Sequence, residues 1–220
     1  MKWLYLVAGI IFLVKMLVMQ DPTFEGGEIS IVESVVADSG IPNAVSGIIF
    51  RNRIYDTIFE VVVFTIAIMG AKFLLANEQP SAIVRQFTDQ PSIVLARLGA
   101  TISALVCIEL AIRGHLSPGG GFAAGVAGGT AIGLIAITSP SERMEEIYER
   151  WRASTWEKIS VLVFIVLAAI TLVGLQLPQG ELGTLLSGGM IPVLNILVAL
   201  KVALGSWAVI LVFIRYRGLL

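Results

Sequence analysis

The chain has one cysteine, Cys107, and one histidine, His115. Cys107 lies in an apolar run and has no partner for an internal disulfide, and with a single histidine there is no ligand set for a structural zinc or an iron–sulfur cluster. Nucleophilic catalysis is disfavoured for the same reason, since any serine or cysteine would depend on His115 as its one histidine base. Charge is scarce as well, at 14% of residues against roughly 25% in soluble domains. The 15 basic and 16 acidic residues nearly cancel, which leaves no excess for binding nucleic acid. The expectation is therefore no catalytic residue, no metal site and no cofactor on this chain.

What the sequence has in abundance is apolar surface: 56% hydrophobic residues and a mean hydropathy of +0.89. Long apolar runs predict membrane spans at about 2–20, 54–76, 91–113, 119–138, 157–177 and 189–214. The fold class is thus all-α, a polytopic membrane protein with about six transmembrane helices and short amphipathic surface helices. The first run, WLYLVAGIIFLVKMLVM, reads as a span and not as a cleaved signal, because no small-residue cleavage pattern comes after it and Lys15 interrupts it.

Between spans, Ile29, Val32, Val35 and Val36 fall at helical spacing, and Asp38, Ser39, Gly40 and Pro42 give a helix stop, which predicts a short amphipathic helix. The β-branched stretch NAVSGIIF, residues 43–50, is expected to run extended. SPSERMEEIYERWRASTWEK, residues 139–158, predicts a surface helix with Ser139 as its cap, Pro140 at the first helical position and Glu142 three residues after the cap. Its apolar stripe is Met144, Ile147, Tyr148 and Trp151. Six spans put both termini on one side of the membrane. On that side lie ten basic residues, Lys2, Lys72, Arg85, Arg97, Arg143, Arg150, Arg152, Lys158, Arg215 and Arg217, against three, Arg51, Arg53 and Arg113, on the other. The positive-inside rule then makes both termini cytoplasmic.

Charges inside spans are the informative ones, because each is disfavoured there by about 2.5–3.5 kcal/mol on insertion scales. Lys201 is the deepest. It reads either as a stem that snorkels or pairs with a neighbouring carboxylate, or as a protonatable relay group; Lys15, nearer a span end, reads as snorkelling. Asp56 and Glu60, four apart, share a helix face, where two carboxylates can raise one pKa and hold a proton; the alternative is that they flank the helix N-terminus, where negative charge suits the dipole. Glu109 and Arg113 have the spacing of an intrahelical ion pair. His115, in a turn at the outer face, reads as a hydrogen-bonded corner or as a proton acceptor. Gly121, Gly125, Gly129 and Gly133 recur every four residues, a side-chain-free face for close helix packing.

RGHLSPGGGF, residues 113–122, resembles the signature of the MnhB (MrpB) family of the Mrp multisubunit sodium/proton antiporters, and GTLLSGGMIPVLNILVALKV, residues 183–202, is similar to the last helix of that family. SGIPNAVSGIIFRNRIYDTIFEVVVFTIAIMGA, residues 39–71, resembles the C-terminal end of the large Mrp A subunit. The resemblance implies a fusion, with residues 1–80 as the A-tail segment of two spans and 81–220 as a four-helix MnhB-like domain. It implies a non-catalytic subunit of a prokaryotic cell-membrane complex that moves Na+ and H+, surrounded by lipid and by A-, C-, D-, E-, F- and G-like Mrp subunits, with related modules built into membrane-bound hydrogenases and sulfur reductases and their peripheral subunits. Asp56, Thr57 and Glu60 match the Asp-Thr-x-x-Glu pattern of the A tail, which the family associates with the ion path. Phe59 stands where that pattern has glycine, and Lys201 where many MnhB-type subunits carry an acid. The candidates for the proton or ion path are then Asp56, Glu60, Lys201, Glu109 and His115. A purely structural assembly subunit is the competing reading.

Overall fold

The computed structural model describes residues 30–81, 84, 86–175 and 177–218. The chain divides into two units, Met1–Ser30 and Ile31–Leu220, and the helical bundle is formed by the second. The expected first span and Lys15 lie outside the described residues.

All regular structure among the described residues is helical. Helix α1, Ile31–Ser39, ends where Gly40 takes a left-handed φ of +68°, inside the predicted stop. The stretch expected to be extended is instead helical: α2, Ala44–Gly47, runs on into a π-helical turn, Ile48–Asn52. The reason is local. The Asn43 side chain accepts hydrogen bonds from the backbone of Val45 and Ser46, and that cap outweighs the weak extended preference of the β-branched residues.

Helix α3, Ile54–Leu75, comes next, then α4, Gln90–Arg113, which Asp89 caps by accepting from the Ser92 backbone at 3.0 Å. The hydrogen bonds from Ser92 hold the Asp89 carboxyl below its ordinary range. Helix α5, Gly120–Ala136, is shorter, 17 residues and about 25 Å at helical rise. The predicted surface helix is divided in two. Its first part is α6, Ser141–Arg150, which starts after Pro140 in extended conformation (ψ 134°), so the cap expected at Ser139 is not the one used. Arg152 then adopts a left-handed conformation, and α7, Ala153–Leu172, begins four residues before the expected start of the fifth span. That shift puts Glu157 inside the membrane helix, where the apolar run alone puts it at the edge. Helix α8, Ile191–Arg217, is last.

Four of these helices, α3, α4, α7 and α8, are long and apolar enough to cross a membrane, and α5 is a shorter apolar helix beside them. Helix α8 is the centre of the bundle, touching every helix from α3 to α7. Its most extensive contact is with α5, which is wedged between α8 and α4. In lipid there is little hydrophobic drive between helices, so close backbone approach carries the association. A Cβ added at Gly121 would press on the Asn195 carbonyl and on Val198; at Gly125 it would lie 2.8 Å from the Ala199 carbonyl, and at Gly129 2.7 Å from Ser206 Cβ. Gly133 has ordinary room, with Ile210 at 3.5 Å. On the other side of α5, Gly128 lies against the Cys107 sulfur of α4.

Candidate functional site

The turn between α4 and α5, residues 114–119, is where the signature RGHLSPGGGF folds. The last carbonyls of a helix have no partner inside it and must find one elsewhere. Here three side chains supply them. Asn195, in the first part of α8, donates through Nδ2 to the carbonyls of Leu110 and Ala111 at 2.9 and 2.8 Å. Asn43, already capping α2, donates to the carbonyls of Gly114 and Ser117, both at 2.7 Å, and Ser46 Oγ donates to Gly114 at 2.8 Å. Gly114 is needed because any side chain would meet the Asn195 amide at 2.8 Å and the Gly120 backbone at 2.9 Å, and Gly119, at φ +140°, would strike Leu110.

His115 is fully buried in this knot. Neither ring nitrogen has a hydrogen-bond partner among the described residues. Burial holds the imidazole below its ordinary pKa, and the carbonyls of Thr184 and Leu185 offset part of that effect. The ring is packed, with residues 184–185 of the α7–α8 connection beside it. Glu109 and Arg113 form an exposed pair at 3.4 Å and stand apart from the knot.

Next to the turn lies a cavity of about 190 Å³, lined by Ser46 and Phe50, by Thr57 and Glu60 of α3, by Gly119 and Phe122 of the signature, and by Val198 of α8. Glu60 and the signature, about 60 residues apart in sequence, thus face one space. Thr57 is buried, with its hydroxyl donating to the Ile49 carbonyl at 2.9 Å, so it fixes the π-helical turn against α3. Asp56 is drawn off to Arg53, with which it forms an ion pair; that neighbour holds the Arg53 guanidinium above its ordinary value.

Four residues beyond Glu60, on the same face of α3, Phe64 reaches two groups. Its ring meets Phe122 edge-on with centroids 6.1 Å apart, and the Lys201 ammonium lies 5.3 Å from its centroid. Phe64 and Lys201 each sit ten residues, about 15 Å, along their helices from the signature end. Lys201 is 0% exposed and pairs with Glu157 of α7, itself 6% exposed. Gly205, one turn on, leaves space for Phe64, whose Cε1 would lie 2.9 Å from an added Cβ. Of the residues singled out in the sequence, Glu60 and the signature share a cavity, and the rings of Phe64 and Phe122 lie between that cavity and Lys201. Three participants are not among them: Glu157, Asn195 and Asn43. Asn195, an amide within an apolar span, is the visible signal, since polar groups at that depth need partners.

Residues 91–208, which run from the start of α4 into α8, match a family model described as a domain related to the MnhB subunit of Na+/H+ antiporter. In fold, the chain is similar to a chain of the membrane-bound sulfane sulfur reductase, an archaeal respiratory membrane complex (24% identity, TM-score 0.65, covering 97% of this chain and 98% of that one). It is also similar to part of a longer chain of the Mrp complex from Dietzia sp. DQ12-45-1b (20% identity, TM-score 0.59, 95% of this chain and 25% of that one). No curated protein matches the chain.

Proposed function

The chain belongs to the family of domains related to the MnhB subunit of Na+/H+ antiporters, and from that membership we propose that it is a membrane subunit of a multisubunit Mrp-type cation/proton antiporter, helping to assemble the complex and to form a proton or sodium path where subunits meet. One observation carries the reading: Glu60, an exposed carboxylate in the second turn of a membrane helix, opens on a cavity shared with the signature turn. A carboxylate is costly at that depth unless it faces a cavity or a partner. The apolar outer faces of α3 and α4, with Phe73 at 79% and Leu95 at 70% exposure, are suited to lipid and to neighbouring membrane subunits.

In this reading residues 1–80 are an A-tail segment joined to an MnhB-like domain at 81–220, and the family match at residues 91–208 falls within the second part. Both termini face the cytoplasm, the chain carries no cofactor and is not an enzyme, and Na+ and H+ are the ions moved. The end-to-end overlap with a chain of the sulfane sulfur reductase favours a second setting for the same module, a redox-driven respiratory complex. Subunits that co-purify with the tagged chain, and any nickel or iron–sulfur centres they bring, separate the two settings.

The test is Glu60→Gln in the whole complex, assayed in inverted membrane vesicles for sodium-driven proton movement. The expected result is a loss of about tenfold or more with the complex assembled at its normal level. Exchange at the wild-type rate would remove the transport role and leave a structural subunit.

A further inference from the structure

At the opposite end of the bundle from the signature, a second cavity of about 340 Å³ opens between α3, α6 and α8, lined among others by Lys72, Glu145, Tyr148, Glu149 and Arg215. Its rim is charged. Tyr148 forms its inner wall, with the ring edge-on to Trp207 at 5.2 Å and the hydroxyl buried without a hydrogen-bond partner among the described residues. Burial raises the pKa of that phenol most, and two groups of α7 also act on it: Ser154 lowers it and the charge of Glu157 raises it. Glu157 in turn holds Lys201, Lys201 faces Phe64, and Phe64 meets Phe122, which lines the Glu60 cavity. The polar groups thus form an interrupted series across the bundle: the Tyr148 hydroxyl, which has no partner among the described residues, then the Glu157–Lys201 pair, then the rings of Phe64 and Phe122 before the Glu60 cavity.

We propose that Tyr148, Glu157 and Lys201 form the inner half of a proton route running from the charged cavity to Glu60, and that Phe64, braced by Phe122, is the apolar barrier dividing the two halves. This deepens the antiporter reading and rests on it. A buried ion pair is poor evidence for stability, because desolvation costs several kcal/mol per ion and an apolar pair often holds a fold as well. Its position between two cavities is what gives it a use. Atoms and charge balance in the transfer: the Tyr148 hydroxyl gives its hydrogen to the Glu157 carboxylate and takes another from the cavity, so the phenol stays neutral. Lys201, its counter-charge gone, releases a proton toward Glu60 as Phe64 swings aside, and takes the proton held on Glu157, which restores the ammonium–carboxylate pair. One proton has moved from the cavity to Glu60, and Tyr148, Glu157 and Lys201 are left as they began.

The experiment uses the whole complex in proteoliposomes, with three variants measured beside Glu60→Gln. E157L/K201M replaces the pair with apolar side chains of similar size and is expected to assemble while losing sodium-driven proton exchange by about tenfold or more. Tyr148→Phe removes one hydroxyl and is expected to slow exchange severalfold. Phe64→Ala is expected to leak protons without sodium, a readout that a merely structural ring would not move. If E157L/K201M assembles, exchange at the wild-type rate overturns the route; if it does not, Tyr148→Phe at the wild-type rate or Phe64→Ala without a leak does so. Loss in Glu60→Gln alone, with the others unaffected, refutes the inner half and keeps the antiporter reading; wild-type exchange in all of them refutes both.

Discussion

Gly125→Ala and Gly133→Ala place the same methyl group on the same helix eight residues apart, yet their effects should have opposite signs. In an exposed helix either change would gain about 1 kcal/mol, because alanine loses less backbone entropy than glycine. At Gly133 little opposes that gain, since the new Cβ finds Ile210 Cδ1 at an ordinary 3.5 Å. At Gly125 the new Cβ would lie 2.8 Å from the Ala199 carbonyl oxygen, and still closer to Val202 Cβ, both close to the backbone of the central helix and unable to rotate away. The α5–α8 seam would have to open, and overpacking of that kind costs about 1–3 kcal/mol. The two variants should therefore differ by about 1–3 kcal/mol, or roughly 2–12 °C in unfolding temperature for a chain of this size. Cys107 is a built-in reporter, because it is the chain's one cysteine and its sulfur lies against Gly128 in the neighbouring seam. Thiol labelling of Cys107 in membranes, followed with temperature by mass spectrometry of its peptide, should show Gly125→Ala opening at lower temperature than wild type and Gly133→Ala at the same or higher temperature. If both variants label alike, the close approach of α5 to α8 is not what holds the seam.

Other outcomes can be checked alongside. Asn43→Ala removes a helix cap and strands the carbonyl of Ser117, while Gly114 keeps its bond from Ser46, so it should cost on the order of 2–4 kcal/mol, visible as faster proteolysis of the 114–119 turn; wild-type resistance would mean that another group satisfies the Ser117 carbonyl. For His115 the native imidazole takes up a proton at lower pH than the unfolded one, so the unfolded state binds more protons and stability falls as pH drops below about 6.5. The protection of the amides of residues 114–117 and 183–187, taken relative to intrinsic exchange at each pH, should fall between about pH 7.5 and about pH 5.5, and His115→Phe should flatten that response; an unchanged pH dependence in the variant would place its source elsewhere.

The spans and their punctuation are readable because apolar runs, Pro91, Pro140 and the glycines near the helix ends are local signals. The Ala44–Asn52 helical segment is not, since β-branched residues favour strands only weakly and the deciding influence is one capping side chain whose own partners lie more than 70 residues away. Glu157 looks like a flanking charge because the sequence gives no sign that Arg152 turns left-handed and starts the helix early. Lys201 is visible as a charge needing a partner, and pairing with a carboxylate is one of its two readings, but which carboxylate depends on the packing of α7 against α8. Glu60 and the signature turn are each conspicuous alone. Their sharing of one cavity arises because α3 and α5 enter the bundle at the same end, which periodicity cannot reveal.

The bonds from Asn195 also bear on the order in which the protein can be made. The carbonyls of Leu110 and Ala111 wait for a donor that lies 84 residues or more downstream, in a helix that leaves the ribosome after α4 to α7. Until that helix arrives, the end of α4 has acceptors with no permanent partner in a medium that offers none. The growing chain must keep that end at the water interface, or lend it to a chaperone or a neighbouring subunit, and the arrival of α8 is the step that lets the signature turn close.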